Sequence, residues 1–217
     1  HCCDVDPTGE YIVGSGKLAA LIPVFSFDKM QKAIAEKQYD GEYEGIPVIK
    51  YEAALYGEVK KPGLGPLHTE FDGKGNAYTT FFVSSEVVKW SLKDLTVVDR
   101  VPTFYSVGHL CVAGGDTKKP YGKYMIAYNK ITKDRYLPTG PELAQSAQLF
   151  DISGDKMEMI LDYPTIGEPH YAQIIAADIV SKNSLKLFKI DENKHPYAAK
   201  GEGESKVVRQ GNKVHVY

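Results

Sequence analysis

Long apolar runs are missing from this chain: nowhere in its 217 residues do the roughly 20 consecutive apolar residues of a membrane-spanning helix occur. The charged-then-apolar start of a secretory leader is also lacking. No single sign of charge dominates. The formal net charge is -2 and acidic and basic residues are interleaved, so there is no basic stripe of the kind phosphate-backbone binding needs, which argues against nucleic acid. Cysteine is scarce. Cys2 and Cys3 are adjacent and Cys111 is distant, which matches neither a CxxC pair nor a disulfide framework and reads as buried or incidental thiols. The chain starts at His1 and runs straight into "DVDPTGEYIVGSG", text that resembles a domain interior, so a fragment or processed piece is expected and the missing leader leaves the compartment open.

What the chain does have is turn-strand grammar. "DPTGEYIVGSG", "DGKGNAYTTFFVSSEVVKWSL", "GKYMIAYNKITKDRYL" and "AQLFDISGDKMEMILDY" each set Gly, Asp or Asn between β-branched and aromatic runs, which predicts antiparallel hairpins. In the second, Tyr78, Thr80 and Phe82 share one face and Ala77, Thr79 and Phe81 the other, with the reversal at Ser84 and Ser85. Both faces are partly apolar, as in a sheet packed between neighbours. One helix is predicted over 26–38, capped by Ser26, with Asp28 at its positive end, Met30, Ile34 and Phe27 on one side and a stop at Gly41. It is short enough to be an insertion between strands. Residues 193–206 are polar and Gly-rich and read as a linker, and 207–217 alternate like a first strand of a further domain. Hairpins recurring every 40 to 60 residues point to an all-β fold of propeller blades, with a β-sandwich as the competing architecture.

Four of the six histidines share a context. His68, His109 and His170 follow a Gly, often with Pro, and precede a strand-like run; His1 precedes a similar run. Their positions are roughly one blade, or one blade plus an insertion, apart. Because equivalent points of successive blades converge on a propeller's axis, these imidazoles would point at a common spot. A histidine-only set suits copper or zinc better than calcium or magnesium. The competing reading makes each a hydrogen-bonded loop residue, and His195 and His215, which lack the context, are assigned to it. Lys130 and Glu168 lie close to the set in sequence, as surface charges or as an acid–base pair beside a metal.

The stretches "GLGPLHTEFDGKGNAYTTFFVSSEVVKW", "GHL", "NKITKDRYLPTGP", "QLFDISGDKM", "EPH" and "VVRQGNKVHVY" resemble the nitrous oxide reductases, and the likeness covers most of the chain. It implies the later part of a seven-bladed β-propeller over 1–192, a connecting segment over 193–206 and the start of a C-terminal cupredoxin domain over 207–217. It implies further that His1, His68, His109 and His170 are four of seven ligands to a tetranuclear copper–sulfide centre, with a dinuclear copper site in the remainder of the cupredoxin domain. Lys130 and Glu168 take the place of the pair beside the open copper edge where nitrous oxide is thought to bind. A calcium site would draw on the Lys130 carbonyl and on Gln145, a neutral amide where better-known members carry a carboxylate. Tyr171 stands where many relatives have Asp, and Cys2 where the pattern has Gly. The resemblance also implies a periplasmic, head-to-tail homodimer fed by a cytochrome c or a cupredoxin. The piece alone is expected to be inactive and poorly soluble, since an open propeller leaves edge strands unpaired. The alternative from another class is a non-catalytic propeller binding module with relic histidines.

Overall fold

A computed structural model of the chain describes residues 2–130, 145–165, 167–183, 207–210 and 213–216. It divides into two compact units, 1–176 and 177–217. The first begins with strands β1 (Cys3–Val5), β2 (Tyr11–Gly14) and β3 (Leu21–Ser26). An excursion follows through helix α1 (Phe27–Ala35), a hairpin of β4 (Tyr39–Tyr43) and β5 (Ile46–Ile49), and the single turn α2 (Tyr51–Ala54). The chain then returns in β6 (Leu55–Lys60), which pairs with β3, so the excursion is an insertion within one four-stranded sheet. Two more four-stranded antiparallel sheets are simple meanders. One contains β7 (Pro66–Phe71), β8 (Asn76–Phe81), β9 (Glu86–Ser91) and β10 (Val97–Pro102); the other β11 (Val107–Val112), β12 (Tyr124–Asn129), β13 (Ser146–Asp151) and β14 (Glu158–Pro164). This is the blade repeat that the hairpin spacing predicts.

Aspartate makes the turns. Asp6 accepts hydrogen bonds from the amides of Thr8 and Tyr11 (3.1 and 2.8 Å), Asp72 from those of Lys74 and Asn76 (2.7 and 3.1 Å), and Asp151 from that of Ser153 (2.8 Å). Each side chain thereby stands in for a backbone acceptor while the chain reverses. At the second turn Gly73 and Gly75 adopt φ of 70° and 91°, the left-handed region that a Cβ disfavours.

The alternation in β8 holds for residues 77–81, while Phe82, read as part of the Tyr78 face, falls in the turn that follows the strand. Ala77 and Phe81 pack with Val13, Ile22, Val24 and Val59 of the first sheet and with Trp90, whereas Tyr78 packs with Val107, Leu110, Met125 and Phe150 of the third. The second blade is therefore sandwiched between its neighbours, and every β8 residue after Asn76 is buried. Trp90 is fully buried, its indole N–H donating to Thr79 Oγ1 at 2.9 Å, and that hydroxyl also meets Thr69 Oγ1 at 2.8 Å. By contrast, β14 is exposed along its whole length, Met159, Ile160, Leu161 and Tyr163 included, which makes it an open apolar edge.

Three expectations are corrected. Helix α1 is capped by Ser26, which accepts from Lys29 N at 3.1 Å, but it ends at Ala35, with Lys37 in the left-handed region at φ 52°. Gly41 instead lies inside β4. Its one buried side chain is Ala33, while Phe27 and Ile34 face outward, because the helix belongs to the insertion and has only a narrow strip to bury. The run after His170 is not a strand: residues 171–176 are irregular and lead into helix α3 (Ala177–Asn183), which opens the second unit. In that unit the tail forms two short antiparallel strands, β15 (Val207–Gln210) and β16 (Lys213–Val216), where one was expected. The linker expected over 193–206 lies outside the described residues.

Because Trp90 fills the space between the first two blades and holds Thr79 by hydrogen bond, Trp90→Ala should cost about 3–5 kcal/mol. Urea unfolding followed by far-UV circular dichroism checks this; a loss below about 1 kcal/mol would mean the blades pack without it.

Candidate metal centre

The inner strands of the second and third blades carry the same irregularity at the same place. In β7 the register against β8 breaks between Pro66 and Thr69, and in β11 the register against β12 breaks between Val107 and Leu110. His68 and His109 sit inside these two bulges, which re-aim a side chain that regular pleating would hold elsewhere. Their rings stack at a centroid distance of 3.6 Å and 24°. His170 arrives from the segment after β14, its ring 4.3 Å from that of His109. Three of the four histidines singled out in the sequence therefore meet. His1 and His195 lie outside the described residues, and His215 falls in β16 of the second unit.

The bulges are held by side chains that cross between blades. Asp4 of β1 accepts from the Thr69 amide at 2.8 Å, and Glu70 of β7 accepts from the Val112 amide of β11. Thr80 of β8 accepts from the His68 amide at 3.3 Å and donates to the Gly108 carbonyl at 2.5 Å, so one hydroxyl couples the backbone at both histidines. The glycine before His109 is there for space: a Cβ on Gly108 would lie 2.2 Å from Lys130 Cε, whose aliphatic stem crosses it.

That stem brings a buried ammonium to the site. Lys130, 8% exposed, follows β12; its Nζ donates to His170 Nδ1 at 3.2 Å and stands 3.8 Å from Glu168 Oε1. Glu168 Oε1 is also 4.0 Å from His170 Nδ1, so the pair suggested by sequence proximity is assembled here. Burial holds the Lys130 ammonium below its ordinary proton affinity, the Glu168 charge opposing and that of Lys17 assisting. Burial, reinforced by positive neighbours, also pushes His68 and His109 down to about 4 each, so both rings are neutral at pH 7. The pairing of Asn129 with Ser146 places Lys130 and Gln145 at the same end of the β12–β13 ladder, where the Gln145 carbonyl accepts from Thr165 N at 2.7 Å.

An acidic cavity also adjoins the histidines, and sequence reading missed it. It measures about 330 Å³ and is lined by His68, His109, Asp4, Glu70, Asp116 and Tyr171, among others. Burial raises Glu70 to about 8, with the charges of Asp116 and Asp4 adding and the Val112 hydrogen bond opposing. Glu70 lies two residues after His68, but the bulge between Pro66 and Thr69 interrupts strand alternation there, so its place beside the histidines carries little sequence signal.

Neutral imidazoles in a shielded position suit a borderline-soft metal, and Nδ1 of His109 is buried with no hydrogen-bond partner among the described residues, as an unmetallated ligand would be. The rings lie face to face, however, and among the described residues no three His, Cys, Asp or Glu side chains surround a single point.

Comparison with known proteins decides the kinship. The family described as "Nitrous oxide reductase propeller repeat" matches residues 100–170, the stretch that holds His109, Lys130, Glu168 and His170. Nitrous-oxide reductases of Stutzerimonas stutzeri, Cupriavidus necator and Pseudomonas fluorescens match the whole chain at 36%, 37% and 33% identity. Along its whole length the chain is similar to nitrous-oxide reductases. It spans about a third of the length of these relatives, 35%, 33% and 35% respectively. Among solved structures, a chain of the crystal structure of the mitotic checkpoint complex shares the fold, with a TM-score of 0.54 over 79% of this chain and 41% of that one at 8% identity. Within this nitrous-oxide reductase relative, the sheets described above are thus successive propeller repeats.

Asp4 gives a pH-dependent check on the blade contact. Burial raises its carboxyl from 3.8 to about 6, against the Thr69 hydrogen bond that favours the anion. The folded state then binds the proton more tightly than the unfolded chain, and stability falls as pH rises from about 4 to about 6. Asp4→Asn, which keeps an acceptor for the Thr69 amide, should stabilise the chain at pH 7.5 by on the order of 1 kcal/mol, with the gain gone near pH 4. Thermal melts of both forms across that range measure it.

Proposed function

We propose that the chain supplies part of the active site of a copper-dependent nitrous-oxide reductase, which reduces N2O to N2 and water with two electrons and two protons. The observation that carries this reading is the meeting of His68, His109 and His170 from three separate segments beside the buried Lys130–Glu168 pair. The four histidines, His1 included by family resemblance, would hold a tetranuclear copper–sulfide centre. When bound, that centre supplies electrons to a substrate that is a feeble ligand with a high kinetic barrier. Neutral imidazoles hold such a group without adding charge. Lys130, shielded from water, presents an ammonium where negative charge grows on the departing oxygen, and in a low-dielectric site a pre-placed cation is worth far more than in water. Glu168 keeps that ammonium charged and oriented.

The remaining family-level features belong to the same proposal. Residues 1–192 form the later part of a seven-bladed propeller, 193–206 connect, and 207–217 begin a cupredoxin domain that carries a dinuclear copper site. Calcium near the Lys130 carbonyl and Gln145, a head-to-tail homodimer, a cytochrome c or cupredoxin donor and a periplasmic location all rest on the family resemblance. The stacking of His68 and His109 is the observation that favours the second reading, a propeller binding module in which the histidines are relics.

Metal analysis of the full-length parent separates the two. His68→Ala and His109→Ala should each strip copper from the propeller, and a folded wild-type parent without propeller copper would establish the module. Lys130→Ala should retain wild-type copper while turnover falls by about 10²–10³-fold, the size of loss seen when one pre-placed charge-stabilising donor is removed. Wild-type N2O reduction by that variant would remove Lys130 from the mechanism.

A further inference from the structure

Cys2 is one of only three cysteines, and its thiol sits against the histidine that the second blade presents. Cys2 Sγ lies 3.3 Å from His68 Nδ1, 2.9 Å from the Leu67 carbonyl oxygen, 3.4 Å from Ser15 Oγ and 3.8 Å from Asp4 Oδ2. Its backbone is fixed as well: the Cys2 amide donates to Ser15 Oγ at 3.0 Å, and the Cys2 carbonyl accepts from the Ser15 amide at 3.1 Å and from the Ser15 hydroxyl at 3.0 Å. The sulfur is therefore held in place on the inner edge of the first blade.

Proton accounting gives this arrangement a direction. A thiol has one hydrogen. The Leu67 carbonyl accepts and cannot donate, and it is the closest partner, so the S–H points there. If the proton instead turned to the Asp4 carboxylate, it would again be spent on an oxygen. The Ser15 hydroxyl hydrogen is directed at the Cys2 carbonyl. With the S–H on either oxygen, what the sulfur offers His68 is a lone pair and the ring nitrogen facing it carries the hydrogen; a thiol turned to Nδ1 itself would reverse the roles, and the shorter contact to the Leu67 carbonyl favours the first arrangement. In a neutral imidazole one nitrogen donates and the other holds the lone pair, and the hydrogen bond made by one sets the role of the other.

We propose that Cys2 is a positioning residue that holds His68 in the Nδ1–H tautomer, so that Nε2 is the nitrogen presented to copper. The thiol plays the part that a carboxylate or backbone carbonyl commonly plays behind a metal-binding histidine, where loss of the partner lowers metal affinity 10- to 100-fold. The inference rests on the copper reading for its consequence, but the tautomer itself is a property of the chain without metal.

The test exploits that separation. In the metal-free chain labelled with ¹⁵N-histidine, two-dimensional ¹H–¹⁵N spectra should show His68 with a pyrrole-type Nδ1 and a pyridine-type Nε2, the resonance being assigned through His68→Gln. Cys2→Ala should move His68 toward a mixture of tautomers, and Cys2→Ser, which keeps a lone pair at the same place, should restore most of the wild-type pattern. A wild-type His68 protonated on Nε2 overturns the proposal, and so does a Cys2→Ala spectrum identical to wild type. In the copper-reconstituted full-length parent, Cys2→Ala should weaken copper uptake about 10- to 100-fold, with Cys2→Ser in between. A wild-type parent that takes up no propeller copper, with the Nδ1–H tautomer present, would defeat the copper reading alone. Unchanged uptake in Cys2→Ala would defeat the positioning role alone.

Discussion

Among the described residues, the innermost strand of each blade has one edge that no strand pairs, and the structure depends on how those edge amides are satisfied. A buried amide without an acceptor costs about 1–3 kcal/mol, so each must find one. The answer repeats: a carboxylate from one blade accepts the inner-strand amide of the next, Asp4 for Thr69 and then Glu70 for Val112. This ties consecutive sheets together at the level of the histidines. It also explains why acidic groups are tolerated in a shielded cavity where burial raises their proton affinity. The histidine cluster consequently has an ammonium against His170, from Lys130, and carboxylates in the cavity that His68 and His109 line, Glu70 among them.

How far the sequence discloses this differs sharply from feature to feature. The two faces of β8 can be read from Ala77, Tyr78 and Phe81 because strand alternation is a local property that needs no knowledge of neighbours. The Gly-His context of His109 is legible too, although its cause is not: Gly108 is glycine because of Lys130, far along the chain. Asp4, Glu70 and Thr80 leave little trace in the sequence. Each acts on a different strand from its own, and nothing in the spacing of a carboxylate or a hydroxyl announces which backbone amide it will meet. The segment after His170 misleads for the opposite reason. Its β-branched residues fit a strand, but no partner strand is at hand among the described residues, and local preference yields to an irregular path and then to helix α3.

Family likeness and site geometry bear on different parts of the question. Kinship over the whole chain accounts for the blades. The contact between Cys2 and His68 joins two blades in the same way as the carboxylates do, but it reaches an imidazole ring where they reach an amide. Scarcity made this cysteine look incidental, and only the packing of β1 against β7 gives it a partner.

The glycine before His109 has a consequence for how this site can change over time. Lys130 occupies the volume that any larger residue at position 108 would need, while the Gly108 carbonyl is the acceptor through which Thr80 couples the two bulges. Position 108 and position 130 are thus not independent variables. A lineage that discarded the lysine would free position 108 to drift, whereas one that kept the lysine would be confined to glycine there. Co-variation of these two positions therefore records whether a descendant still needs its buried cation.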